Sequence, residues 1–187
     1  MTPRYVLLLA MACTTVLSPA LRAADLSMLT DFGRPDIPVG RLGLLAPANS
    51  VGVEQLGDAN ALWVEQSGTH NNAQVWQAGV DLRAHVTQVG ADNELRLLQA
   101  DGRSTGELQQ SGAGNQMAIT QQGLDNVVTG SQVGLSNDLV LQQVGASQFG
   151  FNQIGDRNQI VVDAPVGLSL QVDQVGNDLR FQMTPAP

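Results

Sequence analysis

The chain has 187 residues, a formal net charge of −8 and not one lysine, which makes nucleic acid and anionic membrane poor partners. Aromatic residues make up only 4% of it, whereas glycine occurs 20 times and Gln and Asn are abundant. Such a composition lacks the bulky side chains of an ordinary globular core, so folding has to rest on another ordering device.

Residues 1–23 read as a secretory signal peptide. Arg4 supplies the positive start, residues 6–17 form an apolar stretch, and Leu21-Arg22-Ala23 offers a small residue at a cleavage position. The apolar stretch is too short for a membrane span and no second one follows, so no membrane span is expected. Cleavage removes Arg4, Arg22 and Cys13, taking the net charge from −8 to −10 and leaving no thiol for a disulfide or a metal. Residues 24–50 contain Gly33, Pro35, Pro38, Gly40, Gly43 and Pro47 and read as a flexible N-terminal leader.

The ordering device is a period. Gln stands at Gln55, Gln66, Gln77, Gln88, Gln99, Gln110, Gln121, Gln132 and Gln143, at a constant spacing of 11, and Gln153 and Gln174 continue the series with altered spacing. Two residues after most of them comes a turn glycine: Gly57, Gly68, Gly79, Gly90, Gly112, Gly123, Gly134 and Gly145. Five residues after them, Asn recurs at Asn60, Asn71, Asn93, Asn115, Asn126, Asn137 and Asn158. Glycine admits the positive φ of a tight reversal, and the segment after each turn alternates apolar and polar, as Asn60-Leu62-Val64-Gln66 and Asn115-Met117-Ile119-Gln121 do on one face. From 60 to 143 no charged residue falls on that inward face. Glu65, Arg83, His85, Glu94, Arg96, Glu107 and Asp138 fall outward instead, and Asp58, Asp81, Asp92, Arg103 and Asp125 fall in turns.

One unit of 11 cannot bury its apolar face alone. Two units make a strand–turn–strand–turn coil of 22 residues, and coils stack as parallel strands about 4.8 Å apart. The predicted fold is therefore all-β: a two-sheet parallel β-solenoid of about six coils over residues 51–183, with a tail at 184–187. Stacking puts Gln55, Gln77, Gln99, Gln121 and Gln143 in one ladder, Gln66, Gln88, Gln110 and Gln132 in a second, and Asn71, Asn93, Asn115 and Asn137 in a third. A fourth column reads Asn60, Leu82, Ser104, Asn126 and Gln148. The early arrival of Gln153 predicts a shortened strand carrying Phe149 and Phe151. Ala164-Pro165-Val166-Gly167 takes the place of the next Gln-x-Gly turn.

The pattern Gln-x-Gly-x-x-Asn-x-Ala-x-x-x-Gln, as Gln66, Gly68, Asn71, Ala73 and Gln77 carry it, resembles the curlin repeat, and the resemblance extends over about residues 51–182. It implies a subunit of curli, extracellular amyloid fibres for adhesion and biofilm matrix. Partners implied are further copies of the chain, other curlin subunits, and the curli secretion pore with its accessory proteins. Export through the periplasm to the cell surface goes with them. Of the family's two roles, Leu82, Leu95, Leu97, Leu98 and Phe149 favour the minor subunit that nucleates polymerisation over the major fibre subunit, because a long uniform fibre favours small or polar residues there. Minor subunits often end in a basic segment, for which Arg180 is the sole candidate here.

No catalytic, cofactor-binding or metal site is expected. His70 and His85 read as solvated surface, the acidic residues are scattered over the outside, and no Ser-His-Asp set is indicated. Trp63 and Trp76 point outward and offer a contact patch to a neighbouring subunit. The rival from another class is a monomeric β-solenoid adhesin or binding module. It calls for a regular outward array, and Thr87, Thr120 and Thr129 are too irregular to make one.

Overall fold

The computed structural model describes residues 24–30, 38–44 and 49–185. These form β1 (Ala24–Thr30), β2 (Pro38–Leu44), β3 (Ser50–Asp58), β4 (Ala61–Thr69), β5 (Asn72–Val80), β6 (Arg83–Ala91), β7 (Glu94–Gly102), β8 (Thr105–Ala113), β9 (Gln116–Gln122), β10 (Val127–Leu135), β11 (Asp138–Val144), β12 (Gln148–Ile154), β13 (Gln159–Ala164), β14 (Ser169–Val175) and β15 (Arg180–Met183). From β3 onward, odd-numbered strands pair in parallel in one sheet, here sheet A, and even-numbered strands from β4 to β14 pair in parallel in the other, sheet B. The chain thus crosses between two sheets at every turn. This is a β-solenoid of about six coils, as the 11-residue period requires.

Alternation decides which side chains face inward. In β4, Leu62, Val64 and Gln66 are buried while Trp63 and Glu65 lie on the outer face. The inward positions of sheet A run Val51, Ala73, Leu95, Met117, Leu139 and Ile160 along one column and Val75, Leu97, Ile119, Leu141 and Val162 along another. Every buried polar side chain among the described residues is Asn, Gln or Ser. Charge is excluded because the space between the sheets offers no water to solvate it.

The core compensates volume from rung to rung. In sheet B, Leu108, Gly130 and Phe151 are successive members of one inward column. A Cβ added to Gly130 would overlap both the Phe151 ring and the Phe151 carbonyl oxygen, so the ring and backbone of Phe151 occupy the room that Gly130 leaves. Phe151 in turn stacks on Phe149 with ring centroids 6.0 Å apart.

The register slip after Gln143 sits in a turn. Strand β12 is shorter than β10, seven residues against nine, but it keeps register with it from Val127 opposite Gln148 to Val133 opposite Ile154, so the slip falls before the strand. The missing residue belongs to the turn at 145–147, and Ser147, not Gln148, follows Asn126 in the fourth column. Gln148 faces solvent. The turn at 165–168 has the same short length, which keeps Gln148 opposite Ser169.

The signal segment 1–23 lies outside the described residues, as do 31–37 and 45–48 of the leader segment. The backbones of β1 and β2 pair antiparallel, and β2 runs antiparallel beside Ser50, Val51 and Gly52 of β3.

Gly130→Ala is expected to destabilise the fold by about 1–3 kcal/mol through overpacking, and adding Phe151→Leu to recover only the part due to the ring, because the Phe151 carbonyl oxygen stays in the way of the new Cβ. Guanidinium unfolding followed by circular dichroism measures both, and a neutral Gly130→Ala removes the packing account.

Candidate functional site: the buried amide ladders

Two glutamine ladders run along the solenoid, one in each sheet. In sheet A, Nε2 of Gln55, Gln77, Gln99 and Gln121 each donates to Oε1 of the Gln one coil on, at 2.6–3.0 Å, ending at Gln143. In sheet B the same bond links Gln66, Gln88, Gln110, Gln132, Gln153 and Gln174. Gln153 and Gln174, whose altered spacing obscured their place, therefore extend the second ladder. The first stops because Ala164 lies opposite Gln143.

The second amide hydrogen has an equally fixed destination. Gln66 donates to the backbone oxygen of Ser50, Gln88 to Asn72, Gln110 to Glu94 and Gln132 to Gln116, each in the facing sheet. Each of these four glutamines thus ties its rung both to the next rung and to the opposite sheet. With one bond accepted and two donated, a fully buried amide keeps its hydrogen bonds without water. No buried side-chain nitrogen or oxygen among the described residues lacks a partner.

The asparagine ladder runs the other way. Nδ2 of Asn71, Asn93, Asn115 and Asn137 donates back to Oδ1 of the Asn one coil earlier, at 2.9–3.2 Å. The same Oδ1 also accepts the backbone N–H of the later Asn. Asn49 begins this ladder and was missed in the sequence because no Gln-x-Gly precedes it. Asn158 continues it through its backbone N–H, and Leu179 ends it.

Asn71 shows how the ladder holds the turns. Its Nδ2 also reaches Ser67 O in its own turn and Gly90 O in the turn above. The residue before an Asn adopts positive φ whatever its type, as Ala59, His70, Asp92, Asp125, Ser136 and Arg157 do, and so do Asp81 and Arg103, which precede Leu82 and Ser104 in the fourth column. Stacking explains the glycine three residues before the Asn: a Cβ on Gly112 would overlap the Gly134 carbonyl oxygen directly above it. In the turn ladder containing Gly79 and Gly123, Asp101 replaces glycine, and its Oδ2 accepts the Gly123 N–H at 2.8 Å.

The fourth column holds together less well. Leu82 is fully buried in it, Asn126 meets Ser104 Oγ at 3.4 Å, and Ser147 Oγ meets Asn126 at 3.2 Å.

Outside the ladders the polar groups are solvated. Arg103 pairs with Asp125 and Arg157 with Asp178, both across adjacent turns. The hydrogen bond from Arg157 holds the Asp178 carboxyl below the usual carboxylate range, so its contribution is present at neutral pH and fades as acid protonates it. Both groups are exposed, so the effect is small. His70 Nδ1 lies 3.7 Å from Asp92 one coil on, and His85 packs edge-on to Trp63.

This arrangement defines a class: a two-sheet parallel solenoid held by axial amide ladders, with a polar organisation suited to stacking. Residues 57–90, which run from the first turn glycine to β6, match the family described as Curlin associated repeat. The match supports the curlin family for this chain and covers one and a half coils of it. No curated protein and no solved structure matches the chain.

Gln99→Leu is expected to leave the Gln77 amide hydrogen and the Gln121 oxygen without partners, at a cost of about 1–3 kcal/mol for each orphaned group. Gln142→Leu, on the outer face of β11, is expected to change stability little. Comparing the two by guanidinium unfolding tests the ladder directly, and equal effects would count against it.

Proposed function

We propose that this chain is a structural subunit of extracellular curli-type fibres. In that role it is the minor subunit that nucleates polymerisation at the cell surface, serving adhesion and biofilm matrix. The observation that carries the reading is the second glutamine ladder, unbroken from Gln66 to Gln174, because an axial ladder gains from every rung added and has no intrinsic end. Edge strands β4 and β14 of sheet B likewise carry backbone groups that a further strand can satisfy. The curlin repeat supports the same class of product.

The minor role is supported by degenerate columns. Leu82 takes an amide position, and Leu95, Leu97 and Phe149 fill the core with bulk that differs from rung to rung. A chain whose rungs are unlike one another stacks with less self-similarity than a bulk fibre subunit needs. Secretion through the periplasm, by way of a curli pore, follows from the signal segment and from the family likeness.

Function on this reading is assembly, with no catalytic step. The Gln and Asn ladders are its working residues, and the turn glycines Gly57, Gly68, Gly79, Gly90, Gly112, Gly123, Gly134 and Gly145 let them align. The charged residues of the outer faces and turns keep the secreted chain soluble without obstructing the stack.

The mature chain incubated at neutral pH is expected to form unbranched fibres in electron micrographs, with a cross-β spacing of about 4.8 Å along the axis. A trace of it is expected to shorten the thioflavin lag of another curlin. A chain that stays monomeric and leaves that lag unchanged favours the adhesin reading.

A further inference from the structure

The outer face of sheet B is not flat. Along one outward column Trp63, His85, Glu107, Thr129, Gly150 and Gln171 follow one another from β4 to β14. Long side chains give way to short ones in its middle, where Gly150 has none and Thr129 is small. The neighbouring column dips at the same rung, with Ser131 in β10. The result is a groove of about 540 Å³ that crosses β6 to β14, within the range of about 300–1,000 Å³ usual for small-ligand clefts. His85, packed edge-on against Trp63 with ring centroids 6.3 Å apart, walls one end. Gln171, bonded to Asp173 at 2.9 Å, stands at the other.

The polar groups of this groove have few partners within the protein. The side chains of Thr87, Glu107, Gln109 and Thr129 bond to no other described residue. Ser131 Oγ donates to Asn152 Oδ1 at 2.8 Å, which leaves the amide hydrogens of Asn152 unengaged among the described residues. Hydroxyl, carboxylate and amide groups side by side offer donors and acceptors together.

Charge and shape select the ligand. No lysine or arginine lines the groove and Glu107 is its one carboxylate, so an anionic polymer meets repulsion without a counter-charge. Leu108 and Phe151 underlie the groove but are buried in the core, so an apolar ligand gains little. A peptide strand cannot add here, because the groove lies on the face of sheet B, whose backbones already pair with one another. An uncharged chain of hydroxyl groups fits all three conditions.

We propose that this groove is a binding site for an uncharged oligosaccharide, whose hydroxyls bond to Thr87, Glu107, Gln109, Thr129 and Asn152 over the floor that Gly150 leaves open. The site lies on the side of the solenoid, away from both coil ends, so stacking of copies leaves it exposed. It goes beyond the fibre-subunit reading and does not depend on it.

The test tethers the mature chain through a C-terminal tag and exposes it to labelled tetrasaccharides. Maltotetraose, laminaritetraose and N-acetylated chitotetraose are the neutral probes, with tetragalacturonate as the anionic control and tetra-arginine as the cationic one. At least one neutral probe is expected to bind at least tenfold tighter than either control. Gly150→Thr is expected to weaken that binding at least tenfold by filling the floor. The fold should tolerate it, because a Cβ there meets only the flexible end of Gln171 and a β-branched residue suits a strand. Glu107→Ala/Gln109→Ala alters exposed side chains alone and covers the case in which Gly150→Thr disturbs folding. It is expected to weaken binding about tenfold, the size of one to two net hydrogen bonds. Thr120→Ala, on the outer face of sheet A, is expected to change nothing. The proposal is overturned if no neutral probe binds, if either control binds as tightly, or if the double variant binds like wild type. Electron micrographs of the untethered chain report on fibres separately, so either reading can fail while the other stands.

Discussion

A primary amide buried between two β-sheets is costly unless both its hydrogens and its oxygen find partners, and in this protein the partner is supplied by repetition. Gln88 accepts from Gln66, donates to Gln110 and donates again to the Asn72 carbonyl across the core. The arrangement works only if each coil places its amide directly above the last. Register is therefore a requirement of hydrogen bonding as much as of hydrophobic burial, since a slip of one residue would orphan an entire ladder and turn its core residues to solvent.

The remaining features follow from that constraint. Turn glycines are needed because the turns must stack as closely as the strands, and the carbonyl above occupies the space of a Cβ. Asparagine recurs at the end of each turn because its side chain binds its own turn, the one above and the Asn below. Where the constraint lapses, so does the pattern. Opposite Ala164 the Gln143 amide turns to Ser147 O at 3.3 Å, which keeps it satisfied while closing its ladder. The same shift from amide to apolar residue at Leu179 ends the asparagine ladder.

The core between the ladders is less constrained. Its columns vary from Ala to Phe, and neighbouring rungs trade volume, as Gly130 and Phe151 do. Apolar packing is non-directional and tolerates such exchange provided the total is kept. Hydrogen-bonded amides are directional and do not. This difference explains why Gln persists along the chain with so few exceptions while the apolar positions wander.

The sequence by itself determined the coil, its two sheets, the inward face and the regularly spaced members of three ladders, because a strict 11-residue spacing of Gln on a two-residue alternation admits one register. Residues that broke the spacing were harder to place. Asn49 has no preceding Gln-x-Gly to mark it, and Ser147 was displaced by Gln148 because a deletion in a turn and one in a strand look alike in one dimension. The positive-φ residue before each Asn left no trace either, since Ala, His, Asp, Arg and Ser all serve there. Ladder polarity was likewise beyond the sequence, which names an amide without saying which way it points. Only the tertiary structure decides that, because backbone carbonyls of the facing sheet and of the neighbouring turns fix the direction of every N–H.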